Sequence, residues 1–390
     1  MVTRKNRCIL NSGKAACRVL AFACLLFGNG CLPKAAAQSS NALEVETTTH
    51  FGVVWRHSKK LTTHTGELLN AQEIGFRIQT RGRRDWHQWQ NFPALGIRLC
   101  HFRLGDGDHG DAYGMLPNLL VPLVRSHWFA ANFGVGTGLA WVTRPYDSFT
   151  NTGQNAIGSH WNNLTQFRLG AEFRCSPHWR IQTGMALNHL SNGGSALPNY
   201  GINLPTGYFG LNWAPGGVDE SQFVRSGASR RVARHLGGQL QAGLALIEYS
   251  VPDGPRYPVW QYSAAATWQF SKINRMSAGI DYEFNKAVWE WGLHINQFTS
   301  NADADRGAKR LAFTLGDEFL FGNLGIQVLH GWYLGDYYNQ FVLRRAYNKL
   351  SIRYYFPAIP HTGIRLHAGV TLKAHAITAE YISWNVGLLF

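Results

Sequence analysis

Beyond its first 37 residues the chain has no stretch long and apolar enough to cross a bilayer as a helix, which takes about 20 consecutive apolar residues. A helical membrane protein is therefore excluded. Charge is also scarce: Asp, Glu, Lys and Arg make up 15% of the residues, against roughly a quarter in an ordinary soluble domain. Cysteine is scarcer still. Cys8, Cys17, Cys24 and Cys31 fall at the extreme N-terminus, so Cys100 and Cys175 remain. They permit one disulfide at most and exclude a disulfide framework. His57, His64 and His109 lack the paired spacing of a metal site, and there is no Gly-rich phosphate loop or EF-hand-like run of acids. No metal or organic cofactor is expected.

What the chain does have points to a membrane β-barrel. Aromatic residues reach 13% and there are 42 glycines; barrels use aromatic girdles, small residues at crowded interior positions and few charges toward lipid. The N-terminus reads as an export signal. Arg4, Lys5 and Lys14 form a basic start, Val19 to Phe27 an apolar core, and Ala35-Ala36-Ala37 a small-residue cleavage pattern, which predicts cleavage after Ala37. That core is too short to anchor the chain as a membrane helix. The formal charge of +14 suits an anionic partner. For an exported chain, phosphorylated lipid at a bacterial surface fits better than nucleic acid.

Strand-like alternation recurs along the mature chain. Phe167, Leu169, Ala171 and Phe173 share one face, with Arg168, Glu172 and Arg174 on the other. Ile382, Trp384, Val386, Leu388 and Phe390 share a face in the last segment, and Phe390 ends the sequence. Such a final strand resembles the terminal signal of outer-membrane barrels. Strands are predicted near 45–57, 70–80, 92–104, 112–123, 127–143, 161–174, 178–191, 205–214, 235–249, 258–270, 273–284, 308–318, 321–333, 346–356, 363–373 and 377–390, with 287–298 ambiguous. The fold expected is an all-β, antiparallel transmembrane barrel of about 12–16 strands, as a single domain over 38–390. The stretch 215–234, basic from Arg225 to Arg234, reads as a long connection.

One stretch carries chemistry: Leu187-Asn188-His189-Leu190-Ser191-Asn192-Gly193-Gly194. His189 and Ser191 lie two apart on a predicted strand, hence on one face, where an imidazole can take the proton of a serine nucleophile. The tight turn Cys175-Ser176-Pro177-His178 and the longer loops 144–160 and 192–204 set the strand's direction, since such barrels keep short turns in the periplasm and long loops outside. His189 and Ser191 then arrive at the outer-leaflet headgroups. Their face is the apolar one, with Ile181, Thr183, Met185 and Leu187, while Gln182, Gly184, Ala186 and Asn188 face inward. A polar pair on the outer wall suits a lipid substrate. A Gly-rich strand end with a girdle histidine is the structural alternative.

His189-Leu190-Ser191-Asn192-Gly193-Gly194 followed by Pro198-Asn199-Tyr200-Gly201-Ile202 resembles the PagL-type lipid A deacylase family, outer-membrane barrels often described as acyloxyacyl hydrolases. The resemblance covers about residues 120–214 and includes Asn155-Ala156-Ile157-Gly158-Ser159-His160; the last 170 or so residues resemble longer family members. It implies removal of an ester-linked acyl chain from lipid A, the lipid part of lipopolysaccharide, with Ser191 as nucleophile and His189 as base. It also implies an oxyanion hole at Asn192, Gly193 and Gly194, where small residues let N–H groups approach. Ser159 and His160 border the site, to hold a substrate phosphate, brace the Asn192 loop or serve as plain rim structure. The family's glutamate falls on Asn203. Asparagine still accepts a hydrogen bond from the imidazole but brings no full charge; Glu172 as orienter, or lost activity, are the alternatives. From another class, a non-catalytic porin or surface barrel competes, as does an outer-membrane phospholipase. Acyl position and oligomeric state are not encoded in these motifs.

Overall fold

The computed structural model describes residues 43–105, 107–225, 235–335, 344–375 and 378–390. The export signal, its cleavage point and most of the basic section, 226–234, lie outside the described residues.

Every predicted strand is present. β1 (Leu43–Val53), β2 (Leu68–Gln79), β3 (Ala94–Arg103), β4 (Asp111–Arg125), β5 (Phe129–Val142), β6 (Trp161–Arg174), β7 (Trp179–Ser191) and β8 (Ile202–Trp213) form an antiparallel meander. β9 (His235–Glu248), β10 (Arg256–Gln269), β11 (Asn274–Asn285), β12 (Lys309–Phe321), β13 (Leu324–Tyr333), β14 (Ala346–Tyr355), β15 (Arg365–His375) and β16 (Thr378–Leu389) form another. The expectation of a single barrel over 38–390 does not hold. β8 turns back to pair with β1, with Val45 opposite Trp213, and β16 pairs with β9, with Trp384 opposite Leu244. The strands therefore close as two eight-stranded barrels. Alternation within a strand is the same for either closure, so local pattern does not distinguish them.

Each barrel is apolar outside and polar inside. Along β7, Met185 and Leu187 are exposed while Gln182, Ala186 and Asn188 are buried. Unpaired backbone groups are too costly in lipid for an open sheet, and closure removes the edge strands.

The lumens are filled. In the first barrel Arg77 donates from Nε to Glu44 (2.5 Å) and from Nη1 to Glu172 (2.5 Å), Arg98 pairs with Glu46, and Arg168 with Glu73. In the second, Lys373 Nζ lies 2.6 Å from Glu283 and 3.0 Å from Glu380, Arg310 bridges the same two carboxylates, and Lys349 pairs with Asp281. Glu73 and Arg168 are each 2% exposed; a porin's lumen charges would stand in water.

The ambiguous segment resolves as helix. Counting α1 as Asp85–Trp89, α2 spans Lys286–His294 and α3 Asn301–Ala308, between β11 and β12. Asn285 caps α2 by accepting from Ala287 and Val288 N–H, and Ser300 caps α3 through Asp303 N–H. Ala287 packs with Ile247, Val259 and Tyr381 over the second barrel's outer mouth. Cys100 is buried and Cys175 exposed, and both are free thiols.

Candidate active site

β7 climbs from the tight turn at 175–178 and delivers His189 and Ser191 to its outer end, on the outward face. β8 returns antiparallel, and the register puts Asn203 directly opposite His189. His189 Nδ1 lies 2.6 Å from Asn203 Oδ1. An amide oxygen only accepts, so this contact sets the tautomer: Nδ1 carries the proton and Nε2 is left as the base. The bond survives at an outward position because Asn203 is itself held: its carbonyl accepts from Trp55 N–H at 2.9 Å. Gly201, at φ +78°, lets the chain pass over the imidazole; a Cβ there would come within 2.8 Å of His189 Cε1.

Glu172 does not reach this imidazole. It stands opposite Gln182, seven residues down β6 from Thr165, which faces His189. That is about 23 Å along a strand at 3.3 Å per residue. Its carboxylate is engaged by Arg77.

Ser191 is 3% exposed, more enclosed than an open wall position implies. Its Oγ exchanges hydrogen bonds with the Asn199 amide, at 3.0 Å to Nδ2 and 3.2 Å to Oδ1, and accepts from Gly193 N–H at 3.1 Å. It makes no hydrogen bond to His189. Asn192 N–H donates to Asn199 Oδ1 at 3.2 Å, and the Asn192 side chain donates to Ser159 Oγ (3.0 Å) and the Ala196 carbonyl (2.8 Å). Gly193 adopts φ +63°, which turns its N–H back toward Ser191.

Ser159 thus braces the Asn192 loop. His160 points elsewhere: it stacks on Trp141 with ring centroids 4.4 Å apart, and its Nδ1 meets the Val142 carbonyl at 2.8 Å.

The structure adds residues that pattern reading passed over. Asn199 lies within the quoted Pro198–Ile202 motif, and that motif was its signal. His57 comes from the β1–β2 loop, and its Nε2 lies 3.0 Å from the Tyr200 carbonyl; nothing local marks it. Asn163, opposite Ser191 on β6, joins Thr137 and Thr165 in a polar strip on the outward wall.

Two family models match in tandem: lipid A 3-O-deacylase (PagL) over residues 71–212, and the C-terminal domain of acyloxyacyl hydrolase over 218–390. The chain belongs to the PagL-type lipid A deacylase (acyloxyacyl hydrolase) family, in its long form. The PagL match starts well before residue 120, taking in β2 to β4, and the two matches meet in the connection between the barrels. A comparison with curated proteins gives no match. Among solved structures, the chain is similar to the outer membrane enzyme PagL at 14% identity, TM-score 0.31, covering 42% of this chain and 97% of that one. It is similar to outer membrane phospholipase A from Escherichia coli at 8% identity, TM-score 0.18, covering 88% and 95%. OccK11 of Pseudomonas aeruginosa aligns at 12% identity and TM-score 0.22, covering 90% and 94%. The functional reading rests on the family match and on the site. Closed barrels with an apolar outer surface and this family assignment identify an outer-membrane hydrolase.

Proposed function

We propose that the protein is a serine esterase that removes an ester-linked acyl chain from lipid A in the outer leaflet, with the 3-O-linked chain named by the family as the expected target. The observation that carries this reading is the hydrogen bond from His189 Nδ1 to Asn203 Oδ1, with Ser191 two residues away on the same outward wall. Nothing in a barrel's architecture asks for that arrangement.

A lipid ester enters laterally from the leaflet. Ser191 Oγ swings from Asn199 toward His189 Nε2, an adjustment of the kind that substrate binding brings about in resting sites. Oγ attacks the acyl carbonyl carbon while Nε2 takes its proton. The carbonyl oxygen becomes an oxyanion, met by N–H groups of the Asn192-Gly193-Gly194 turn. The C–O bond to the sugar breaks and the sugar oxygen leaves with the proton from His189. Water, deprotonated by the same imidazole, then releases the fatty acid and restores Ser191.

Asn203 in place of a carboxylate favours the rival reading, a barrel that has lost catalysis. Purified protein incubated with lipopolysaccharide, wild type against Ser191→Ala, decides between them. Mass spectrometry should find free fatty acid with the wild type and none with the variant. Equal release from both, or none from either with any lipid tested, refutes the esterase.

A further inference from the structure

Glu248 is a carboxylate on the wrong face. Along β9, Leu240, Leu244 and Leu246 point outward and are exposed, while Gln239, Gln241, Ala245 and Ile247 point inward and are buried. Glu248 follows the outward set, toward lipid, where a charge is costly unless it is partnered. Yet it is 5% exposed. What covers it belongs to the other barrel: Glu248 Oε2 accepts from Leu197 N–H, and Glu248 N–H donates to the Gly194 carbonyl at 2.8 Å. The second barrel therefore grips the turn that follows Ser191 at two points. It also closes over it. A Cβ on Gly193 would lie 2.5 Å from Ile382 Cγ1, and one on Gly194 would lie 2.9 Å from the Glu380 carbonyl.

We infer that Glu248 is a positioning residue for the Asn192–Leu197 turn, so that the second barrel, through its wall at Glu248 and Ile382, completes the ester-cleaving site of the first. This rests on the serine esterase reading. Within the first barrel the turn is tied at its start, through Asn192 and Ser159. In its later half the Asn192 side chain holds the Ala196 carbonyl from within, while Gly194 and Leu197 are held from outside by β9. A loop with two glycines at positive φ has many other conformations available, and oxyanion stabilisation depends on donors held in place beforehand. One carboxylate accepting a charge-assisted hydrogen bond and one backbone hydrogen bond restrict that freedom.

The test uses the full chain in detergent–lipid micelles, with lipopolysaccharide as substrate. Glu248→Ala, Glu248→Gln and Ser191→Ala are compared, each first confirmed as folded by heat-modified gel mobility. Ser191→Ala must abolish release; if it does not, the esterase reading itself falls and the result says nothing against Glu248. With that control satisfied, Glu248→Ala should lower kcat about 10- to 100-fold with KM within about twofold, the pattern of an interaction realised in the transition state. Glu248→Gln, which keeps an acceptor for Leu197 N–H, should restore most of the loss. A kcat equal to wild type in the alanine variant overturns the inference. So does a rise in KM at unchanged kcat, which would make Glu248 a wall of the acyl groove. If the alanine variant does not fold, Gln alone is informative. Glutamine within threefold of wild type in kcat then supports positioning, and a loss above tenfold overturns it.

Discussion

Replacing Asn203 tests the site at its most unusual position, and the size of the effect follows from the geometry. Its Oδ1 stands 2.6 Å from His189 Nδ1. As Ser191 gives up its proton the imidazole becomes a cation, and this bond becomes charge-assisted. Hydrogen bonds to charged groups contribute about 1.5–3 kcal/mol, so Asn203→Leu should lower kcat about 10- to 150-fold at 1.36 kcal/mol per tenfold. KM should change little, because the imidazole is neutral when substrate binds. Asn203→Asp is the opposite perturbation. Two unit charges about 4 Å apart gain about 4 kcal/mol at an effective dielectric of 20. Desolvating a carboxylate at this half-buried site removes much of that gain, leaving about 1–2 kcal/mol and a kcat about 5- to 30-fold above wild type. The assay is fatty acid release from lipopolysaccharide under saturating substrate, with folded protein measured by gel mobility. A leucine variant with wild-type kcat refutes the role of Asn203. An aspartate variant slower than asparagine refutes the claim that a cation develops on His189.

Three further outcomes are expected. Gly193→Ala should reduce kcat at least tenfold, because the new Cβ meets Ile382 Cγ1 at 2.5 Å and sits at φ +63°; pairing it with Ile382→Ala should recover part of the loss, and full independence of the two changes would count against the contact. His109, buried in the outer loop after β3, is held neutral: Gln154 Nε2 donates to its Nδ1 at 2.9 Å, its Nε2 donates to the His64 carbonyl at 2.8 Å, and burial pushes its pKa below the usual value of 6.5. Its contribution to stability is complete above about pH 6.5 and is lost as pH falls through the lowered value in the fold, so hydrogen exchange of the 143–160 loop should speed up in mild acid and do so less in His109→Gln. Met185 lies mid-strand on the outward face and is exposed, so Met185→Arg should cost about 2–4 kcal/mol of folding stability in bilayers, read as a lowered urea midpoint; an unchanged midpoint would mean that this face does not meet lipid.

Much of the molecule was legible without coordinates because its signals are local. The side-chain period of two marks each strand and assigns its faces, and Phe167 to Arg174 already showed apolar residues on one side and Arg168 and Glu172 on the other. The spacing of His189 and Ser191 placed them on one face, and turn lengths indicated which end of the strand they reach. Asn203 was reached through the family resemblance, as the position on which the family's glutamate falls. The segment at 287–298 was ambiguous because a short apolar run fits either a strand or a helix, and the helix was decided by the caps at Asn285 and Ser300 together with packing of Ala287 over the barrel mouth. His57 and Asn163 were missed because they join the site across loops and neighbouring strands, where no sequence spacing records the contact.

Alternation, turn chemistry and the motif around Ser191 therefore determined by themselves that this is an antiparallel outer-membrane β protein of about 12–16 strands with a His–Ser pair on its wall. Those properties depend on residues within a few positions of one another. Tertiary structure alone decided that the strands close as two barrels, since closure depends on pairing between β1 and β8 and between β9 and β16, far apart in the chain. It alone decided too that Ser191 is enclosed rather than open to lipid. The turn that follows Ser191 is fixed by a carboxylate more than 50 residues away, at the end of a strand in the other barrel.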